Sequence, residues 1–131
     1  LKMKDNLVLN FIIESISESS GLEVESINPG STLFQDLCLT SIDMVEIFYM
    51  IEMEYDISLR ASDFENDLRK DMDGEEFEID NVITDKGLAA IRQKLPEINS
   101  DNLKQGLTVD QLIKFITVRA LANLVTIKIN Q

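Results

Sequence analysis

Residues 42–55 hold ten apolar or aromatic side chains in fourteen positions, and their spacing is helical. At about 100° per residue, Met44, Ile47, Phe48, Ile51 and Tyr55 fall on one stripe. Ile42, Val45, Tyr49 and Met53 fall on the opposite stripe, flanked by Glu46 and Glu52. A helix in a small bundle buries one stripe and hydrates the other. This helix has two stripes to cover. Either the second one, rimmed by carboxylates, docks partner proteins, or residues between Phe64 and Leu107 cover it from within the chain. Periodicity alone leaves both readings open.

The rest of the chain supplies neighbours for the first stripe. Leu7, Phe11, Ile12 and Ile16 share one face of a helix predicted over residues 4–19, with Gly21 as its stop. Residues 21–39 read as a loop turning at Asn28-Pro29-Gly30. Thr40 caps the double-striped helix, and Asp43, three residues on, approximates a capping box. A less regular helix is expected over 59–72, then a charged turn at Asp73-Gly74-Glu75-Glu76. Thr84 opens a short helix through Leu95, which Pro96 stops, and residues 99–106 read as loop. Thr108, with Gln111 completing a capping box, opens a last long helix with Leu112, Phe115, Ile116, Leu121 and Leu124 at its apolar positions. Residues 126–131 show no clear pattern. The expected class is all-α. At 131 residues the chain can bury a core without a disulfide or metal staple. No apolar run approaches the ~20 residues of a membrane span.

Charge is distributed unevenly. The net charge is −12, from 24 acids and 12 bases. Residues 5–59 contain eleven acids and no Lys or Arg, whereas residues 60–131 contain thirteen acids against ten bases, a net of −3. Such a field disfavours nucleic acid and anionic membrane surfaces and steers toward basic partners, although solubility alone also explains acidity. There is no His, and Cys38 is the single cysteine. A Ser-His-Asp triad, a Cys-His dyad, a His-ligated metal and an internal disulfide are thereby excluded within this sequence. Carboxylates occur in pairs, but no glycine-rich phosphate loop or metal-ligand cluster accompanies them, so no enzyme is expected. The N-terminal residues lack the apolar core of an export signal, and the expected location is the reducing cytoplasm. A small monomer is the default for so charged a chain.

Ser41 stands at the first turn of the double-striped helix, after Asp36-Leu37-Cys38-Leu39-Thr40. A phosphate ester on its hydroxyl would meet the positive helix end and free backbone N–H groups. Serines at that position also simply share the cap.

The stretch Leu33-Phe34-Gln35-Asp36-Leu37-Cys38-Leu39-Thr40-Ser41-Ile42-Asp43-Met44-Val45-Glu46-Ile47 resembles an acyl carrier protein, whose pattern is Asp-Leu-Gly-x-Asp-Ser-Leu-Asp followed by Val-Glu-Leu. Glu52-Met53-Glu54-Tyr55-Asp56-Ile57 is similar to the family's acidic helix ending. Leu107-Thr108-Val109-Asp110-Gln111-Leu112-Ile113-Lys114-Phe115-Ile116 is similar to its closing helix. The resemblance covers residues 4–65 and 107–121.

It implies an antiparallel acyl-carrier helix bundle spanning residues 1–131 as one domain, with a helical insertion at about 64–107. Ser41 would carry 4′-phosphopantetheine, placed there from coenzyme A by a phosphopantetheinyl transferase. The thiol of that arm would hold an acyl chain as a thioester, sheltered between helices. An acyl-carrier synthetase, ketosynthase or acyltransferase with basic docking patches would be its partners. Ile42, Val45, Glu46, Tyr49 and Glu52 match the family's docking face, with Asp36 and Asp43 flanking the serine. The sequence departs from the pattern at Thr40, where Asp is usual, at Cys38-Leu39, where a Gly-containing pair is usual, at Ile42 for Leu, and at Met53 for Glu. Cys38 is read as packing or incidental. The insertion resembles extended carriers, including those serving long-chain acylation of lipopolysaccharide. It would enlarge the acyl cavity, make a partner-specific surface, or act as a lid.

Three rivals remain. An unmodified acidic adaptor would use the same helix without the arm. A peptidyl carrier would load amino acids, although the acidic helix and the lack of flanking synthetase domains favour the acyl version. A calcium loop around Asp73-Gly74 would put Arg69 at position one and Asp80 at twelve, which breaks the ligand set.

Overall fold

A computed structural model describes residues 2–60, 66, 68–70 and 72–130. Among them are five α-helices: α1 (Lys2–Ser20), α2 (Ser41–Tyr55), α3 (Asp85–Lys94), α4 (Val109–Ile113) and α5 (Val118–Ile129). A two-stranded antiparallel hairpin, β1 (Glu78–Ile79) and β2 (Val82–Ile83), precedes α3. The fold is thus a mostly helical bundle with one minimal hairpin. The chain forms two compact units: residues 1–59 with 117–131, and residues 60–116.

The first unit is built on α1, which packs against both α2 and α5. Val8, Ile12 and Ile16 recur every four residues and are buried, with Leu9 and Ile13 beside them. Leu7, expected on this face, is instead 65% exposed, while Phe11 is half-buried. Helix α1 stops as expected: Gly21 takes φ +81, and its N–H bonds the Ser17 carbonyl at 2.9 Å. From α2 the core receives Met44, Ile47 and Ile51. Phe11 meets Tyr55 edge-on, with ring centroids 5.5 Å apart. Burial pushes the Tyr55 hydroxyl pKa up, with Glu54 adding to the shift.

The closing helix differs from the expectation. It is not one helix opened by Thr108. Helix α4 ends at Ile113, and Thr117 caps a separate α5 that runs through Ile129, into the tail left unassigned from sequence. The three leading N–H groups of α5 all find acceptors. Val118 donates to the Ser31 carbonyl (3.0 Å), Arg119 to the Pro29 carbonyl (2.9 Å) and Ala120 to the Thr117 hydroxyl (3.0 Å). The two segments share the pattern Leu/Ile-Thr-Val-x-x-Leu, starting at Leu107 and at Ile116. What separates them is side-chain size at the core. Ala120 and Ala122 are buried in the first unit beside Val118, Leu121 and Val125. The corresponding residues of the earlier segment, Gln111 and Ile113, would put an amide and extra bulk there.

The second unit spans residues 60–116. Half of the third helix expected over 59–72 lies outside the described residues, as does Phe64; residues 59 and 60 are not helical, whereas residues 66, 68 and 69 are. The hairpin turns on Asp80-Asn81, both at positive φ (51° and 71°), the pattern of a two-residue primed turn. Thr84 caps α3 through Gly87 N–H at 3.0 Å. Leu88, Ile91 and Leu95 are buried, while Ala89 is exposed. Gly87 is required by close approach. A Cβ there would lie 2.5 Å from the Phe77 carbonyl oxygen and 2.8 Å from the Ile83 side chain.

Candidate functional site

The site is the loop from Thr32 to Thr40 and the helix that follows it. Each part has a local cause. Thr32 and Asp36 bond reciprocally: Thr32 N–H donates to the Asp36 carboxylate and Asp36 N–H to the Thr32 hydroxyl, both at 2.9 Å. Leu33 and Leu39 anchor the two ends of the loop in the core. Cys38, where a Gly is usual in the resembling family, sits at φ +54 and is exposed. That conformation crowds a Cβ against the following carbonyl. The chain takes the turn without a glycine.

The expected capping box at α2 is complete. The Thr40 hydroxyl accepts Asp43 N–H at 3.1 Å, and the Asp43 carboxylate accepts Thr40 N–H at 3.0 Å. The Ser19 hydroxyl, on α1, donates to the same carboxylate at 3.3 Å. Chiefly the Thr40 backbone bond, and then the Thr40 and Ser19 hydroxyls, hold the Asp43 carboxyl below its ordinary 3.8 despite some desolvation. Ser41 is therefore the first residue of α2, exposed, one position beyond the cap. Among the described residues no protein group engages its hydroxyl. An exposed nucleophile at the positive end of a fifteen-residue helix fits a phosphodiester.

Along α2 the second stripe is open. Ile42, Val45, Tyr49 and Met53 are 72%, 69%, 61% and 67% exposed. Glu46 is exposed beside them. Glu52 behaves differently: its carboxylate accepts the Leu59 N–H at 3.0 Å and ties down the chain after the helix, where Asp56 ends α2 at φ 53. The structure thus brings Ser41, Ile42, Val45, Glu46 and Tyr49 together on one exposed surface. It gives Asp36, Asp43 and Glu52 backbone partners of their own. Sequence reasoning missed Thr32, Ser19 and the Leu59 N–H as those partners. The four-residue spacing of Thr32 and Asp36 was the one available signal. No helix among the described residues is long and apolar enough to cross a membrane.

Residues 10–69 match the family model described as the phosphopantetheine attachment site. This segment takes in α1 from Asn10, the whole loop and all of α2. No solved structure matches the chain. Domains of this family act as non-catalytic carriers and meet a phosphopantetheinyl transferase and synthases in general. The matched segment, the capped helix and the open hydroxyl at its first turn agree: residues 10–69 are similar to the phosphopantetheine-attachment domain, whose family bears a covalently attached 4′-phosphopantetheine group.

Proposed function

We propose that this protein is an acyl carrier, that Ser41 is its attachment residue, and that the exposed face of Ile42, Val45, Glu46 and Tyr49 presents the loaded arm to partner enzymes. The observation that carries the reading is Ser41 itself, exposed at the first position of α2 and unengaged among the described residues. The arm supplies a thiol that holds the acyl group as a thioester. The chain's own residues do the rest. Thr40 and Asp43 fix the helix end, and Asp36 with Thr32 fixes the approach. The apolar core between α1, α2 and α5, with Ile12, Ile47, Ile51 and Val125 fully buried, offers surroundings that favour a hydrocarbon chain. The acidic lead segment, eleven acids without a base over residues 5–59, favours an acyl over a peptidyl cargo.

The test is loading of the modified protein. A promiscuous acyl-carrier synthetase with a fatty acid should add one acyl mass, released by hydroxylamine. Charging by an amino-acid-activating enzyme, with no fatty-acyl transfer, would favour the peptidyl carrier instead. A wild type that no transferase modifies would favour the adaptor.

A further inference from the structure

We infer that the open edge of the hairpin in the second unit receives an extended segment of another protein, in which basic residues alternate with apolar ones. The site lies wholly within residues 60–116 and stands apart from the carrier reading of Ser41.

Three observations carry it. The first is the difference between the hairpin's two edges. The β2 edge is covered: Ile83 N–H donates to the Leu107 carbonyl (2.9 Å), Val109 N–H to the Asn81 carbonyl (3.0 Å), and Val82 bridges to Thr108. Among the described residues no segment pairs with the β1 edge. Glu78 stands opposite Ile83, whose N–H points away to Leu107, while Thr84 N–H meets the Phe77 carbonyl at 3.0 Å. The alternation of an antiparallel pair therefore turns the Glu78 N–H and C=O outward, where a further strand would bond them. The turn beside this edge is already fixed, with Asn81 N–H donating to the Glu78 carboxylate at 2.7 Å, so binding has less chain to order. The second observation is an apolar face. Ile79 and Val82 stand opposite each other and are 57% and 39% exposed. An apolar residue of an added strand, set beside Ile79, would widen that face. The third is charge. Residues 71–85 hold seven acids and no Lys or Arg. Glu76 and Glu78 are two residues apart on the chain entering the turn, the spacing of one strand face. Lys or Arg opposite these two, with an apolar residue between, gives the incoming segment its alternation. The same acids disfavour a second copy of this chain, whose matching edge would set carboxylate against carboxylate.

The probe is an acetylated and amidated Lys-Val-Lys-Val-Lys peptide, titrated into the isotope-labelled full chain and followed by backbone amide shifts in nuclear magnetic resonance. The expected result is a set of shifts centred on Glu78 and Ile79, with slower hydrogen exchange at the Glu78 amide. The double variant Glu75→Lys with Glu76→Lys changes two exposed side chains and keeps every bond named above. It should weaken binding about fivefold or more, with its fold checked by unchanged amide shifts outside the hairpin. The same peptide methylated on the backbone nitrogens of its lysines keeps its charge but has no donor for the Glu78 carbonyl, and should not bind at this edge. Equal binding of the methylated peptide would mean that charge alone attracts it. Shifts centred on residues 41–55 would mean that the peptide reads the acidic field elsewhere, and no shift into the millimolar range would mean that the edge accepts no strand. Each of these three outcomes overturns the inference, and none bears on whether Ser41 is modified.

Discussion

Replacing Cys38 with glycine should make the protein more stable, although it removes a side chain. Cys38 holds φ +54 in the loop before Ser41. For an L-residue that conformation costs roughly 1–2 kcal/mol, which glycine avoids. Glycine loses roughly 0.5–1 kcal/mol more backbone entropy on folding. The cysteine side chain offsets little: it is exposed, and its Sγ lies 3.6 Å from the Gln35 carbonyl, a weak contact. The net expectation is a gain of about 0.5–1 kcal/mol, or roughly 2–4 °C in Tm for a chain of this size. Thermal unfolding followed by circular dichroism, under reducing conditions, reads it. Cys38→Ala is the control, because it keeps the Cβ and with it the steric cost, and should stay within about 0.5 kcal/mol of wild type. If the alanine variant gained as much as the glycine variant, loss of the thiol would be the cause and the strain argument would fail. A destabilised glycine variant would refute it outright.

Other perturbations test other joints of the structure. Thr117→Ala removes the cap of the helix that packs on α1 and should cost about 1–2 kcal/mol; chemical denaturation should show this loss, with protection from hydrogen exchange falling in α5, whereas Thr108→Ala should weaken protection in α4 and leave α5 unchanged. Gly87→Ala should destabilise by about 1–3 kcal/mol despite the better helix propensity of alanine, because its Cβ would meet the Phe77 carbonyl at 2.5 Å; a neutral melt for that variant would contradict the close approach. The Asp43 carboxyl has a folded pKa below its unfolded value of 3.8. The unfolded chain therefore binds the extra proton, and the contribution of Asp43 is full above that value and lost as pH falls through the depressed folded one. Thermal melts between about pH 2 and pH 6 should show a shallower acid limb for Asp43→Asn than for wild type, and identical acid limbs would count against the capping geometry.

The parts of the fold legible in the sequence were those fixed by neighbours in the chain. Thr40 with Asp43, Gly21 after α1, and Thr84 with Pro96 around α3 each act over a few residues, so their residue types announce them. The open stripe on α2 was legible as a surplus of apolar residues, but only burial shows which of its two stripes faces outward. The split of the last helix was not legible. Locally, Thr108 with Gln111 makes the stronger start signal, a full capping box, and Thr117 has only its hydroxyl. The choice is made by loop carbonyls at Pro29 and Ser31, some ninety residues earlier, and by Ala120 and Ala122 fitting the core. The hairpin escaped notice because each strand is two residues long, too short for alternation to register. At the site, Ser41 and its helix were legible, whereas the engagement of Asp36 and Glu52 depends on backbone N–H groups that no residue type encodes.

The central claim is that Ser41 carries the prosthetic group. Its most direct measurement is the intact mass of the protein before and after incubation with coenzyme A and a broad-specificity phosphopantetheinyl transferase, with Ser41→Ala alongside and peptide mapping of the product. The account predicts a gain of one phosphopantetheinyl mass on wild type, located on the peptide containing Ser41 and absent from the folded Ser41→Ala variant. A gain that persists in the variant, or no gain on folded wild type, would contradict it.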